Sequence, residues 1–197
     1  MSSSLRGEVA CNAFKCNKLH KIPFYVSTLT SHVPLELIYS DVWGSFPIQS
    51  FDGFHYYVMF IDHFTKYLWL FLIKFKLDVP TVLKKFKLVV EKYFQKPIIS
   101  FYFDGGGEFI TLKKKKIESH GISHFIMPPY TPEHNGFSEC RHHHIRETGL
   151  TLLTQASLSF QFWSYAFMTV AYLINRMPTF TLSFHTPFAK LFGCSPN

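Results

Sequence analysis

Cysteine is scarce in this sequence, with only four among 197 residues. So few cysteines exclude a small fold that depends on a disulfide framework, and they fit a reducing compartment. Acidic residues are also few: 13 Asp and Glu stand against 20 Lys and Arg, which gives a formal net charge of +7 and a pI near 9.2. A basic chain favours a polyanionic partner, although charge alone does not identify that partner.

Long apolar segments are nearly absent, and the first residues lack the apolar core of a secretory signal peptide. The strongest candidate for a membrane span is 160–177, which is predicted to be a helix. Gln161, Ser164, Asn175 and Arg176 interrupt its apolar character. We therefore expect a helix that is buried or covered by a partner protein, no membrane partner, and a chain that is not secreted.

Hydrophobic residues make up 47% of the chain, which is enough for a packed core and excludes wholesale disorder. Short connections between the first three predicted strands favour an antiparallel meander. The fourth strand is expected to run parallel to the first, which makes the first strand central. The predicted strands are 35–42, 56–62, 67–73, 98–103 and 122–126, and the predicted helices are 79–94, 109–120, a long helix ending near 155, and 160–177. In the helix 79–94, the stripe expected to face the core consists of Val82, Phe86, Val89, Val90 and Tyr93.

Three carboxylates occupy positions from which a catalytic site can be assembled. Asp41 ends the first predicted strand, Asp104 directly follows the fourth, and Glu139 lies near the start of the long helix. Side chains at strand ends project into the crevice of an open α/β sheet, so these groups are expected to converge. Hard oxygen ligands suit Mg²⁺ or Mn²⁺, and two such ions about 4 Å apart serve phosphodiester chemistry. The alternative is that both Asp residues cap turns and Glu139 is solvated; Asp62, at the end of another strand, is expected to cap a turn.

Several short stretches occur in one order along most of the chain, and together they resemble the integrase of copia-type long-terminal-repeat retrotransposons. That protein is one part of a Pol polyprotein and is similar to the retroviral integrases. The stretches are 34–44 (PLELIYSDVWG), 56–62 (YYVMFID), 104–109 (DGGGEF), 129–136 (PYTPEHNG), 162–163 (FW), 171–178 (AYLINRMP) and 191–197 (LFGCSPN).

The resemblance implies a ribonuclease H-like α/β fold, in which helices flank a mixed five-stranded sheet. It also implies an Asp-Asp-Glu triad, and Asp41, Asp104 and Glu139 fall on its three positions as the catalytic residues and metal ligands. The implied cofactors are two Mg²⁺ or Mn²⁺ ions. The implied chemistry is metal-dependent 3′-end processing of the element DNA, followed by its strand transfer into target DNA.

The resemblance further implies how the chain is organised and where it acts. Residues 1–33 correspond to a remnant of the N-terminal zinc-knuckle region and a linker, 34–157 to the catalytic core, and 158–197 to a helical extension that is truncated. The expected partners are element-end DNA and target DNA, with a second copy of the chain also allowed. The expected location is the nucleus when the protein acts on chromosomal DNA, and otherwise the cytoplasm.

The chain departs from the family pattern near the triad and in the zinc region. Gly105 replaces the usual Asn after the second Asp, Cys140 replaces the usual Arg after the Glu, and His63 stands where Asp is usual. Cys11 falls on the first zinc-ligand position, but Phe14 occupies the second and no His pair precedes them. Structural zinc needs four ligands, so we expect none here and regard Cys11 as a vestigial position.

Several basic and polar residues are candidates for contact with nucleic acid. His143 and Arg146 share roughly the helix face of Glu139, so they are candidate contacts to the DNA backbone. A solvated basic helix face explains them equally well. The remaining candidates are Asn135, Arg141, Lys113 and Lys114. The consecutive residues His142, His143 and His144 point about 100° apart on a helix and cannot share one metal ion.

The residues leave enzymatic activity open. The altered neighbours of the triad and the missing zinc half also fit a degenerate, truncated remnant that binds nucleic acid without turnover. A ribonuclease H-like nuclease on the same fold is a further alternative, although the Tyr-Thr-Pro and Asn-Gly words before Glu139 are typical of integrases.

Overall fold

The computed structural model describes residues 30–103, the backbone of 123–126, and residues 136–196. Five strands form one mixed sheet in the order β3-β2-β1-β4-β5. Strand β1 pairs antiparallel with β2, and β2 does so with β3, whereas β1 with β4 and β4 with β5 are parallel. The predicted meander, the parallel fourth strand and the central first strand are confirmed. The strands are β1 Leu37–Gly44, β2 Tyr56–Asp62, β3 Leu68–Ile73, β4 Ser100–Phe103 and β5 Ser123–Ile126.

Four α-helices lie in the part of the chain that the structure describes. They are α1 Val79–Phe94, α2 Gly136–Gln155, α3 Trp163–Arg176 and α4 Pro187–Phe192. A short 3₁₀ turn, Phe160–Phe162, precedes α3, so the predicted helix 160–177 is divided in two. The predicted helix 109–120 lies outside the described residues. Within the described ranges, no helix is both long enough and apolar enough to span a bilayer.

Strand β1 is central because it pairs with β2 on one side and β4 on the other, and both of its faces are covered. Leu37 and Tyr39 point to one side of the sheet and Ile38 to the other, and all three are buried. Asp41 continues the alternation on the side of Leu37 and Tyr39. A strand that is buried on both faces typically has a nearly continuous apolar sequence. The segment 35–42 (LELIYSDV) approximates this pattern.

Helix α1 covers the face of Ile38. Its buried residues Val79, Leu83, Phe86 and Val90 recur at helical spacing. The Phe86 ring stacks on Phe60 of β2 with a centroid separation of 4.0 Å.

The stripe predicted for α1 is partly wrong. Val89 and Tyr93 are 66% and 67% exposed, while Val79 and Leu83 are buried instead. The sequence offers two overlapping apolar stripes on this helix, and packing against the sheet selects the one that includes Leu83.

Helices α2 and α3 cover the opposite face of the sheet. Phe167 of α3 is fully buried, and its ring lies against Gly149 of α2, where an added Cβ would meet ring carbon Cδ1 at 2.4 Å. Asn175 near the end of α3 accepts a hydrogen bond from the Leu68 N–H and donates one to the Leu68 carbonyl, both at 2.8 Å. Helix α3 thereby satisfies backbone groups of the edge strand β3. It packs in the same hydrophobic core as the sheet, while the predicted domain boundaries stay a prediction.

Candidate active site

Asp41 is buried near the end of β1, on the sheet face that α2 and α3 cover. It pairs with Met59 of β2, and it follows Ser40, whose partner on β4 is Phe103. Its Oδ1 atom accepts a hydrogen bond from the Val42 backbone N–H at 2.7 Å. Asp41 therefore lies at the carboxyl end of a pair of parallel strands, where open α/β sheets place their sites.

Glu139 lies in the first turn of α2 and its side chain is exposed. An acidic residue there is favoured by the helix dipole. Asp41 and Glu139, although distant in sequence, line one cavity of about 330 Å³. The other residues that line this cavity are Val42, Trp43, His142, His143 and Arg146.

The third expected carboxylate, Asp104, lies outside the described residues, so the convergence of all three carboxylates stays a prediction. Strand β4 ends at Phe103, whose partner on β1 is Ser40, the residue before Asp41. Asp104 is the next residue after Phe103 in the sequence. Within the described ranges, no three His, Cys, Asp or Glu side chains are grouped closely enough to hold a metal ion. The structure thus supplies two of the expected ligands in one cavity.

His142 contacts Asp41 from α2. Its Nε2 atom lies 3.2 Å from Asp41 Oδ2, and both side chains are less than a tenth exposed. Its Nδ1 atom is 2.8 Å from the hydroxyl of Tyr57, which is fully buried on β2. Burial, and next the negative charge of Asp41, raise the pKa of Tyr57, so its hydroxyl stays protonated.

Neither His142 nor Tyr57 was singled out from the sequence as a site residue. One signal was available: His142 follows Glu139 by three positions, so a helix places both on one face. The contact with Tyr57 joins residues 85 positions apart and depends on how α2 docks on the sheet. No local sequence pattern predicts a contact between side chains so far apart in the chain.

Two predicted nucleic-acid contacts lie at the same cavity. Arg146 and His143 both line it, as their shared helix face with Glu139 predicts. His143 is 60% exposed, and its Nε2 lies 3.0 Å from Glu147 Oε2. These groups place positive or polar character beside the carboxylates. Their role in DNA binding stays a prediction.

The other predicted contacts do not meet at the cavity in the described part of the chain. Arg141 is partly buried, burial lowers its pKa, and it is absent from the cavity lining. Asn135, Lys113 and Lys114 lie outside the described residues. Cys11, the vestigial zinc position, does so as well.

Asp62 caps a turn, as the sequence predicts. One oxygen accepts from the Leu35 N–H at 2.8 Å, and the other accepts from the N–H and the hydroxyl of Thr65 at 2.8 and 2.6 Å. The side chain is fully buried. These contacts hold the start of β1 and the turn after β2 together.

A second cavity of about 760 Å³ adjoins the first and shares Trp43 and Arg146 with it. The two cavities therefore meet at Trp43 and Arg146. The second cavity is also lined by Ser45, Phe46, Pro47, Ile48, Glu147, Leu150, Thr154 and Phe160.

Comparison of the sequence with known proteins gives high similarity to plant Pol polyproteins. The chain is 53% identical over 189 residues to the retrovirus-related Pol polyprotein from transposon RE2 of Arabidopsis thaliana, and 52% identical to that from transposon RE1. It is 34% identical to the corresponding polyprotein from transposon TNT 1-94 of Nicotiana tabacum. The matches cover 93–96% of this chain but only 13–15% of the polyproteins. No protein-family model matches the sequence.

Comparison of the structure with solved structures finds a similar fold in retroviral integrases. A chain of the simian T-cell lymphotropic virus intasome in complex with PP2A regulatory subunit B56 gamma superposes with a TM-score of 0.63 at 15% identity, covering 84% of this chain and 56% of that one. The HTLV-2 integrase catalytic core domain in complex with magnesium, in its trimeric form, gives a TM-score of 0.56 at 16% identity. That match covers 80% of this chain and 97% of the core domain. At such identities the likeness shows the fold, and it confirms the ribonuclease H-like prediction.

Proposed function

The chain belongs to the copia-type retrotransposon Pol polyproteins and spans 13–15% of the plant members that it matches. From this premise we propose that it is an integrase-type catalytic core that acts on DNA. The observation that carries the proposal is the cavity in which the buried Asp41 faces Glu139 beside Arg146. None of these three residues indicates a function by itself. Carboxylates that can hold divalent cations, with a basic side chain beside them, fit phosphodiester chemistry.

The donors present fit a hard divalent cation. Carboxylate oxygens are the ligands that Mg²⁺ and Mn²⁺ prefer, and the cavity offers one buried and one exposed carboxylate. We propose that Asp41 and Glu139 bind such ions together with Asp104. When bound there, the ions supply Lewis-acid stabilisation of the charge on the reacting phosphate.

The proposed reactions are 3′-end processing and strand transfer. In processing, the oxygen of a water molecule bonds to phosphorus and the bond from phosphorus to the 3′-oxygen breaks, which leaves a free 3′-hydroxyl on the element. In strand transfer, that 3′-hydroxyl bonds to a phosphorus of the target, and the 3′-oxygen of the target strand leaves. In both reactions an attacking oxygen replaces the leaving 3′-oxygen on phosphorus, and the proton that the attacking group loses balances the one that the leaving oxygen gains. Processing yields a phosphomonoester and strand transfer a new diester, so neither reaction needs an oxidant or an energy carrier.

The remaining described residues of the cavity would bind and orient the DNA. Arg146 presents an exposed guanidinium that matches phosphate geometry. His143 lies beside it at the same opening, with 3.5 Å between its Nδ1 and the Arg146 Nη2 atom. Element ends and target DNA are the proposed partners, and a second copy of the chain is a proposed partner as well. We propose the nucleus as the place where chromosomal DNA is joined.

A strand-transfer assay on short DNA duplexes with Mg²⁺ or Mn²⁺ tests the proposal. The unmodified chain should form joined products, and Asp41→Asn and Asp104→Asn should reduce them to background. The exposed residue Asp52 provides a matched control, since Asp52→Asn removes one carboxylate away from the cavity. DNA binding without any product from the unmodified chain would contradict the catalytic proposal and favour the degenerate-remnant alternative.

A further inference from the structure

Three buried polar side chains form a continuous line into the candidate site. Tyr57 and Asp41 are 0% and 5% exposed, and His142 between them is 8% exposed. The Tyr57 hydroxyl lies 2.8 Å from His142 Nδ1, and His142 Nε2 lies 3.2 Å from Asp41 Oδ2. Buried polar groups that are joined in this way carry a large free-energy penalty when one partner is removed.

The positions of the hydrogens follow from the chemistry of the partners. An ionised carboxylate can only accept, so the imidazole nitrogen that faces Asp41 must carry the hydrogen. In the neutral imidazole with this tautomer, Nδ1 accepts the hydrogen bond that the Tyr57 hydroxyl donates. The Nε2 contact with Asp41 is longer and less well aligned than an ideal hydrogen bond, and Nε2 has no other partner among the described residues. Asp41 Oδ2 is therefore the polar atom nearest to Nε2 that the described residues offer, at 3.2 Å.

The surroundings hold this line rigid. The Tyr57 ring stacks against Trp43 at 5.3 Å and meets Phe167 edge-on at 5.8 Å. His142 lies on the buried side of α2, between Ser138 and Ile145. Rotation of the Tyr57 ring would disturb its packing against Trp43 and Phe167.

We propose that His142 and Tyr57 are positioning residues for Asp41, with Tyr57 fixing the imidazole ring and His142 fixing the carboxylate. This inference rests on the proposed function. The Val42 N–H already orients Oδ1 at 2.7 Å, and His142 directs the second oxygen, so the whole carboxylate plane is set before a cation arrives. Each carboxylate oxygen has two lone pairs, which makes the Val42 hydrogen bond and the His142 contact compatible with metal ligation.

The size of the expected effect follows from other metal sites. Removing an outer partner of a metal-ligating group typically lowers metal affinity about 10–100-fold. His142→Leu removes the donor and should weaken Mn²⁺ binding within that range. Tyr57→Phe keeps the ring and its packing, and should weaken binding about 3–10-fold because only the support of His142 is lost.

Mn²⁺ binding is measured by the loss of the free-ion signal in electron paramagnetic resonance, alongside strand transfer. His142→Gln is the informative rescue, because its amide N–H can occupy the place of Nε2–H, and its affinity should stay within about threefold of the unmodified chain. His144→Leu on the exposed side of α2 is the matched control and should bind Mn²⁺ normally. Circular dichroism establishes that each variant is folded. If His142→Leu fails to fold, Tyr57→Phe and His142→Gln carry the test.

Asp41→Asn separates the two levels of the argument. If it abolishes Mn²⁺ binding while folded Tyr57→Phe and His142→Leu bind as the unmodified chain does, the positioning role is overturned and the proposed function stands. The positioning role is also overturned if His142→Gln binds as weakly as His142→Leu. If the unmodified chain does not bind Mn²⁺, or Asp41→Asn binds it normally, the proposed function fails together with the inference.

Discussion

Two buried aspartates near the ends of adjacent strands have different surroundings. Asp62 directs both oxygens into backbone and hydroxyl donors of Leu35 and Thr65, which are groups of the fold itself. Asp41 instead lines an open cavity. The two carboxylates look alike in sequence, and their surroundings distinguish a structural position from a candidate catalytic one.

Removal of the Asp62 carboxylate should destabilise the fold. Asp62→Ala leaves the buried N–H of Leu35 and the donors of Thr65 without their acceptor, and we expect a loss of about 2–4 kcal/mol in the free energy of unfolding. Urea denaturation followed by circular dichroism measures this loss. Asp52→Ala, at an exposed position, should change it far less. Equal losses in the two variants would contradict the capping role.

His63 should make the fold sensitive to acid. Burial, and next the charge of Lys66, lower the pKa of His63 from 6.5 to about 4. The unfolded chain then binds a proton that the folded chain does not, so this residue makes stability fall as pH falls from about 6.5 to about 4. Urea midpoints at pH 7 and pH 5 measure the slope. His63→Gln cannot titrate and should show a smaller difference between the two pH values; an unchanged difference would contradict this account.

At the scale of elements, the crossing of α2 and α3 depends on one glycine. A Cβ at Gly149 would lie 2.4 and 2.7 Å from Cδ1 and Cε1 of Phe167, which is closer than packed atoms allow. We expect Gly149→Ala to destabilise the fold by about 1–3 kcal/mol, although alanine is the better helix former.

Gly136→Ala is the matched control for this crossing, since no atom of the described residues lies within 4 Å of its Cβ position at the start of the same helix. The melting temperatures of both variants, measured by thermal unfolding, test this prediction. A melting temperature for Gly149→Ala at or above that of Gly136→Ala would show that the helices separate without cost.

The elements themselves were largely readable from the sequence. Strand β2 and helix α1 begin and end where the pattern predicts, because alternating and 3.6-residue periodicities are local properties. The side of α1 that faces the core was only partly predicted: Val89 and Tyr93 are exposed because tertiary packing chooses between two apolar stripes.

The residues of the candidate site were likewise only partly predicted from the sequence. Asp41 and Glu139 were found because they lie inside recognisable words of the sequence, and the structure places them at one cavity. Tyr57 and His142 were missed as site residues, since their contact joins a central strand to a later helix and exists only after α2 docks. The place of Asp104 in the site is still a prediction.

At the scale of the whole molecule, the net charge of +7 predicts DNA binding that depends on salt. Phosphate contacts carry no base information, so binding should be independent of sequence. Fluorescence anisotropy at several salt concentrations should give a log–log slope of about −0.9 per phosphate neutralised, and Arg146→Gln should reduce the slope by about 1. Binding that ignores salt, or that prefers one duplex, would contradict the electrostatic account.

The central claim is that Asp41 and Glu139, with Asp104, form one metal site. Crystals of the chain grown with Mn²⁺, and measured for the anomalous scattering of manganese, test it most directly. We predict two anomalous peaks about 4 Å apart, with the Asp41 carboxylate as a ligand and Asp104 and Glu139 around them. The absence of a peak beside Asp41, or peaks that only other residues coordinate, would contradict the claim.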